Sequence, residues 1–299
     1  MPSKSTSPRP LMDALLEAAV AIRQEPDAAE LAYMARQLVQ CTLPHSDPGD
    51  VPIWTRTNGA LTLKIRPDFD SKTLKPLYPY GSIPRLLLFW LVTEATRKKS
   101  RHIRLGKSLD AFMREIGLSP NTGGGKRGAA KRLHSQMVRL FQATITLEDK
   151  REHVTSRANM PVSRQSMLWW DARSTAEQDT LFESWVELSE DFYTAITAAP
   201  VPVDYRALRA LKRSPLALDL YAWATYTTFS ASQKGQARTV PWEALHAQMG
   251  GEYTRLRDFR AKVAAELRKV QAVYPQLQVE ITTAALVVRP SAPAIAPQS

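Results

Sequence analysis

Residues 108–150 read SLDAFMREIGLSPNTGGGKRGAAKRLHSQMVRLFQATITLEDK, and their periodicity decides the fold. Leu109, Phe112 and Ile116 recur at spacings of three and four, which predicts a short helix that Gly117 ends. Gly123, Gly124 and Gly125 then form a turn too flexible for a helix interior. A longer helix follows, with Ala130, Leu133, Met137, Leu140 and Phe141 on one stripe. Its other face carries Gly128, Lys131, Arg132, Ser135, Arg139 and Gln142, with Lys126 and Arg127 at its start. A DNA-reading helix needs this division: an apolar side to fix it and a cationic side turned to phosphates and base edges. Ala143 to Lys150 reads as a strand. The Gly125-Lys126 pair does not make a phosphate-binding loop, because no earlier glycine stands at the required spacing and Arg127 replaces the Ser or Thr. Basic amphipathic helices are also common as plain solvated surface. Repetition of the pattern favours the DNA-reading alternative.

The repeat lies in residues 241–290. Trp242, Leu245, Met249 and Gly250 keep the spacing of Leu109, Phe112, Ile116 and Gly117. A long helix then buries Leu256, Phe259, Val263, Leu267 and Val270. Thr254, Arg257, Ala261, Ala265 and Arg268 lie opposite, flanked by Arg255, Arg260, Lys262 and Lys269. Leu277-Val279-Ile281 and Ala285-Val287 alternate as a hairpin does. Upstream, each copy has an apolar helix at a proline, Pro84 in one and Pro215 in the other, where a missing N–H costs nothing. Short strands at His102–Leu105 and Arg238–Val240 link these to the two-helix units. Helix, strand, helix, helix, hairpin is the order of a winged helix. The expected class is α+β, mainly α, with two tandem winged-helix domains from an internal duplication.

Composition agrees with a nucleic-acid partner. The 299 residues are 44% hydrophobic, enough for two modest cores. A net charge of +11 and a pI near 9.8 favour a polyanion. Twelve cations between Arg97 and Arg139 face only Asp110 and Glu115, whereas residues 177–191 are acidic. This segregation predicts a specific cationic face. No apolar run is long enough to span a bilayer and no signal core follows the N-terminus, so no membrane partner and a cytoplasmic location are expected. A single cysteine, Cys41, fits a reducing compartment.

Along the chain, residues 1–10 are expected to be disordered, and 11–24 and 27–40 to form two helices. A linker occupies 44–50, and Pro52 to Ile65 reads as a hairpin about an Asn58-Gly59 turn. Residues 151–165 are expected to form the first unit's wing tip, with Arg151, Arg157 and Arg164 as candidate phosphate contacts. Strands are expected at Ser166–Asp171 and Trp185–Leu188, a helix from Ser189, and a domain junction at Ala199–Val203. The boundaries that follow are an extension over 1–50, winged-helix domains over 51–200 and 201–290, and a disordered tail over 291–299.

The residues hold no catalytic constellation. The five histidines are scattered, and one cysteine makes no zinc cluster, so no metal and no cofactor are expected. Tyr221 and Tyr226 fall on an apolar helix and read as core rather than as paired nucleophiles.

YPYGSIPRLLLFWLVTEATRKKSRHIRLGKSLDAFMREIGL with its GGGKRG turn, SPLALDLYAWATY, and VPWEALHAQMGGEYTRLRDFRAKVAAELRKVQAVYP together resemble the RepA-type plasmid replication initiators, over roughly residues 52–290. The resemblance implies a bacterial, plasmid-encoded protein with two winged helices that binds directly repeated origin sites (iterons) in double-stranded DNA. It also implies opening of AT-rich DNA, recruitment of the host initiator and replicative helicase, and a role in copy control. Relatives interchange between dimers that repress their own promoter and monomers that initiate. Carried over by motif, Lys126, Arg127, Lys131, Arg132, Ser135 and Arg139 form the first reading surface; Arg255, Arg257, Arg260, Lys262 and Arg268 form the second. The alternatives are a repressor of the same fold without initiator activity, and a purely protein-binding duplicated unit, against which the charge bias argues.

Overall fold

Two helices that are apolar on nearly every side organise the chain. The computed structural model describes residues 9–106, 108–120, 128–151, 154–168, 183–250 and 252–295. The expected disorder of residues 1–8, the glycine turn with Lys126 and Arg127, the end of the Ser166–Asp171 strand and the last four residues of the tail all lie outside these.

The N-terminal part contains α1 (Arg9–Gln24), β1 (Leu31–Ala35), α2 (Arg36–Gln40), β2 (Trp54–Asn58), β3 (Leu61–Arg66), β4 (Asp68–Phe69) and β5 (Pro76–Leu77). The first central helix, α3 (Ser82–Lys98), starts two residues before Pro84 and buries every residue from Pro84 to Thr93. After it come β6 (His102–Gly106), α4 (Leu109–Glu115), α5 (Ala129–Gln142), β7 (Thr144–Arg151), β8 (Val154–Pro161), β9 (Ser163–Met167), β10 (Ser184–Leu188) and α6 (Glu190–Thr197). Next are β11 (Pro200–Asp204), α7 (Tyr205–Leu211) and the second central helix, α8 (Pro215–Lys234), capped by the Ser214 hydroxyl. The chain closes with β12 (Arg238–Pro241), α9 (Trp242–Met249), α10 (Leu256–Val273), β13 (Val279–Ile281) and β14 (Ala285–Val288).

The class is mixed α/β; helix outweighs strand, 46% to 26%, so the mainly helical expectation holds only roughly beside fourteen strands among the described residues. Two three-stranded antiparallel sheets share an order of first, last and middle strand: β6-β10-β9 and β12-β14-β13. A four-stranded sheet, β2-β3-β7-β8, and a ribbon, β1-β11, accompany them.

Several expectations are corrected by tertiary pairing. Residues 27–40 form a 3-10 turn, strand β1 and only five residues of helix, because β1 pairs with β11 from Leu31↔Asp204 to Ala35↔Pro200. The expected junction at 199–203 is therefore a strand. Its prolines alternate, so their missing N–H groups fall on one edge of a two-stranded ribbon. Most of residues 151–165, expected as a wing-tip loop, is strand: β8 pairs with β7 from Thr144↔Pro161 to Arg151↔Val154, and β9 follows. The β2–β3 hairpin leaves an open edge that β7 fills, placing Ile145 opposite Ile65 and Leu147 opposite Leu63. The β2–β3 turn is Gly59-Ala60 rather than Asn58-Gly59: Asn58 pairs with Leu61, and Gly59 carries the positive φ of +57°. Residues 291–295 pack back on the fold, the Tyr274 hydroxyl donating to Ala292 O at 2.8 Å. Tyr221 is fully buried, as expected of core, and its hydroxyl accepts from Asp204 N at 2.9 Å.

A buried polar cluster joins the central helices. Arg85 donates to Asp219 through Nε and Nη2 at 2.7 and 2.8 Å, and to the carbonyls of Leu43, Pro44 and Gly81. His45 adds a 2.8 Å bond to Asp219, and Glu252 accepts from the His45 and Ser46 amides and the Ser46 hydroxyl. Burial opposes the Asp219 charge, but Arg85 and His45 win and hold its carboxyl below the usual range, at about 2.

Candidate nucleic-acid interface

Each long basic helix packs beside a shorter helix, α5 beside α4 and α10 beside α9. Phe112 meets Trp90 edge to face at 4.9 Å, and Trp90 Nε1 donates to Glu115 at 2.8 Å, which docks α4 on α3. Ser108 caps α4, and Gly117 ends it at φ +75°. The α5 stripe then buries Leu133, Met137, Leu140 and Phe141. In the second copy, Trp242 is buried and its Nε1 donates to Thr282 O at 3.0 Å, tying α9 to the turn between β13 and β14. Phe259, Val263, Leu267 and Val270 seat α10. Both apolar stripes therefore point inward as the sequence predicts, with Ala130 and Leu256 only half-buried.

The opposite faces are not uniformly free. On α5, Lys131, Arg132 and Ser135 are exposed. Arg139 turns inward: its guanidinium donates to Tyr78 O at 3.1 Å, lies 5.5 Å from the Tyr80 ring centroid and sits 3.9 Å from Asp47. On α10, Arg257 and Arg268 are exposed, with Thr254 and Arg255 exposed just before the helix. Arg257 has only a loose, solvated neighbour, Asp258 at 3.6 Å. Lys262 is held at 2.8 Å by Glu266, a buried carboxylate that also takes Lys269 at 2.9 Å. That bond to Glu266 raises the Lys262 pKa and offsets its charge locally. Arg260 is half-buried over the Trp242 ring at 5.3 Å. The N-terminal end of α10, which a reading helix turns to the base edges, thus carries exposed cations at Arg255 and Arg257, and Arg268 adds another further along.

Arg157 is exposed on β8, 3.6 Å from Glu148, and Arg164 is exposed on β9, 4.0 Å from Glu187. Arg151 closes β7; its side chain lies outside the described residues. Part of the cationic run is matched across the sheet. Arg101 approaches Glu187 and Glu190, and Arg104 approaches Glu183, as β6 pairs with β10. Glu183, Glu187 and Glu190 thus lie beside the cations around β6, and among the described residues Lys131 and Arg132 of α5 enter no ion pair.

Two cations that sequence reading did not select join the α5 face. Lys212 and Arg213, in the α7–α8 turn, line one cleft of about 760 Å³ together with Lys131, Arg132 and Ser135. Their only local signal is a basic pair before Ser214-Pro215; only the tertiary fold brings them beside α5.

A family model described as plasmid encoded RepA protein matches residues 78–244. No curated protein and no solved structure matches the chain. The matched segment covers more than half of the 299 residues and runs from the approach to α3 into α9, taking in the whole first basic helix unit and central helix α8. The chain therefore belongs to the family of plasmid encoded RepA proteins.

Proposed function

We propose that the chain initiates replication of its plasmid by binding directly repeated origin sites through two tandem winged helices descended from an internal duplication. The units correspond to residues 51–200 and 201–290, with 1–50 preceding them and the β7–β8 hairpin added to the first. One observation carries the reading: an exposed basic second helix recurs beside two sheets of the same strand order, β6-β10-β9 and β12-β14-β13. A helix seated on its apolar side and cationic on the other suits the major groove, and two such helices suit successive grooves of one duplex.

In this reading Lys131, Arg132 and Ser135 meet the duplex from α5, and Thr254, Arg255, Arg257 and Arg268 meet it from the α10 side. Arg139, Arg260 and Lys262, already engaged within the protein, mainly position these helices. Bound at its origin, the chain promotes opening of adjoining DNA and recruits the host initiator and replicative helicase in the bacterial cytoplasm. It exchanges between dimer and monomer, and it uses no cofactor and catalyses no reaction.

Supplying the chain in trans to a plasmid that carries only the parent origin tests this directly. Maintenance of that plasmid, lost in the Arg255→Ala/Arg257→Ala double variant, is the expected result. Repression of the chain's own promoter without plasmid maintenance would replace the initiator with the repressor alternative.

A further inference from the structure

The cleft beside α5 is built from both halves of the chain. Lys131, Arg132 and Ser135 come from α5, Ser82 from the first turn of α3, and Lys212 and Arg213 from the α7–α8 turn. Among the described residues its lining holds no carboxylate, and none of Lys131, Arg132 or Arg213 enters an ion pair. Lys212 is half-buried and donates to the Gly117 carbonyl at 2.5 Å, which fixes its stem against the end of α4. Burial first, and then the neighbouring Arg213 and Arg209 charges, lower its pKa. Like charges crowded at one place without a counter-charge are an arrangement that an anion relieves. The start of α3 adds to this: Ser82 and Ile83, which line the cleft, carry the first N–H groups of the helix (Pro84 has none), and Gly81 provides no side-chain cap.

We propose that this cleft seats a backbone phosphate of the duplex that α5 enters, so that Lys212 and Arg213 from the second half grip the DNA met by the first. The inference rests on the DNA-binding reading above and adds a contact that the basic helices do not themselves contain. A phosphodiester carries one negative charge and oxygens that accept from ammonium, guanidinium, hydroxyl and backbone N–H groups, which are the donors gathered here. Such a contact carries no base information. It contributes to affinity and register, and it sets the salt dependence.

Arg213 is exposed and makes no hydrogen bond to another of the described residues, so its replacement leaves the scaffold intact. Full-length protein and the Arg213→Ala and Arg213→Lys variants are titrated with origin duplex and with shuffled duplex of equal length, across a salt series. The expected result is equal fractional weakening of Arg213→Ala on both duplexes, with the slope of log affinity against log salt shallower by about 0.9. Arg213→Lys should recover most of the slope, because a point charge suffices at a phosphate. An unchanged slope in Arg213→Ala, or weakening confined to the origin duplex, would overturn the assignment. Saturable calorimetric binding of inorganic phosphate alone, lost in Arg213→Ala, would also overturn it, in favour of a free-phosphate site. A wild-type protein with no salt-dependent duplex binding would remove the DNA-binding reading itself; failure of Arg213→Ala alone leaves that reading standing.

Discussion

Arg85 and Asp219 show at the scale of single residues how the halves are held together. Both are buried, and Arg85 spends its donors on Asp219 and three backbone carbonyls. Asp219→Ala strands the guanidinium in the interior, and a loss of about 3–5 kcal/mol in chemical denaturation is expected. The same cluster makes stability fall in acid, in two steps. His45 is held neutral by burial, below its unfolded value of about 6.5, so its unfolded form binds the extra proton and stability declines as pH drops through that value. Asp219, about 2 when folded against about 3.9 unfolded, adds a second decline between those limits. Melting temperatures from pH 8 to pH 3 should show both limbs, and His45→Gln should lose the upper one. Lys99 ends α3 in the left-handed region at φ +51°, where glycine is favoured. Lys99→Gly should therefore stabilise the fold by about 0.5–1 kcal/mol and, since Lys99 belongs to the cationic run from Arg97 to Arg139, weaken all duplexes about equally. Arg257→Ala should instead relax base preference, costing about 1–3 kcal/mol on its own site alone. Equal losses across sites for both positions would contradict that division.

Among the elements, those stabilised by their own side-chain pattern were the ones legible in the sequence. The Leu109-Phe112-Ile116-Gly117 spacing and its repeat at Trp242-Leu245-Met249-Gly250 mark α4 and α9, because a helix stripe records which face is buried. The two glycines nevertheless do different work. Gly117 sits at φ +75°, and a Cβ there would meet Arg209 at 2.8 Å; Gly250 has an ordinary φ, but its Cβ would meet Phe259 at 2.9 Å. Gly117→Ala combines backbone strain with displacement of Arg209, and a loss of about 1–2 kcal/mol is expected in urea unfolding. Some elements that depend on a distant partner were not legible. Leu31–Ala35 reads equally well as a helical stripe, and only Pro200–Asp204 makes it a strand. Strand β7 is legible as a strand, but its pairing with residues near 60 is not, and β8, which pairs with β7, reads as a loop. Arg139 and Lys262 look like free cations on a helical wheel; Tyr78, Tyr80 and Glu266, which engage them, are visible only once the chain is folded.

For the whole molecule, the distribution of bonds matters more than the count of charges. Much of the basic run on β6 is answered by β10, so a net charge of +11 does not translate into a uniformly basic surface. Exposed cations without an ion pair among the described residues remain on α5 and the α7–α8 turn and at Lys99, Arg114, Arg255 and Arg268. The segment around residues 42–46 binds both central helices and the loop before α10, and Arg56 of β2 reaches Gln248 O at 3.4 Å. With the halves bonded in this way, calorimetry should give one cooperative unfolding transition, and two separated transitions would deny the coupling. In the proposed function, the same coupling lets both basic helices act on one duplex as a unit. Hydroxyl-radical footprinting on the parent plasmid's origin tests that most directly. The account predicts protection recurring over direct repeats, each repeat covered in two patches about one helical turn apart on one face of the duplex. Protection no different from that on shuffled DNA, or confined to an inverted repeat in the chain's own promoter, would contradict it.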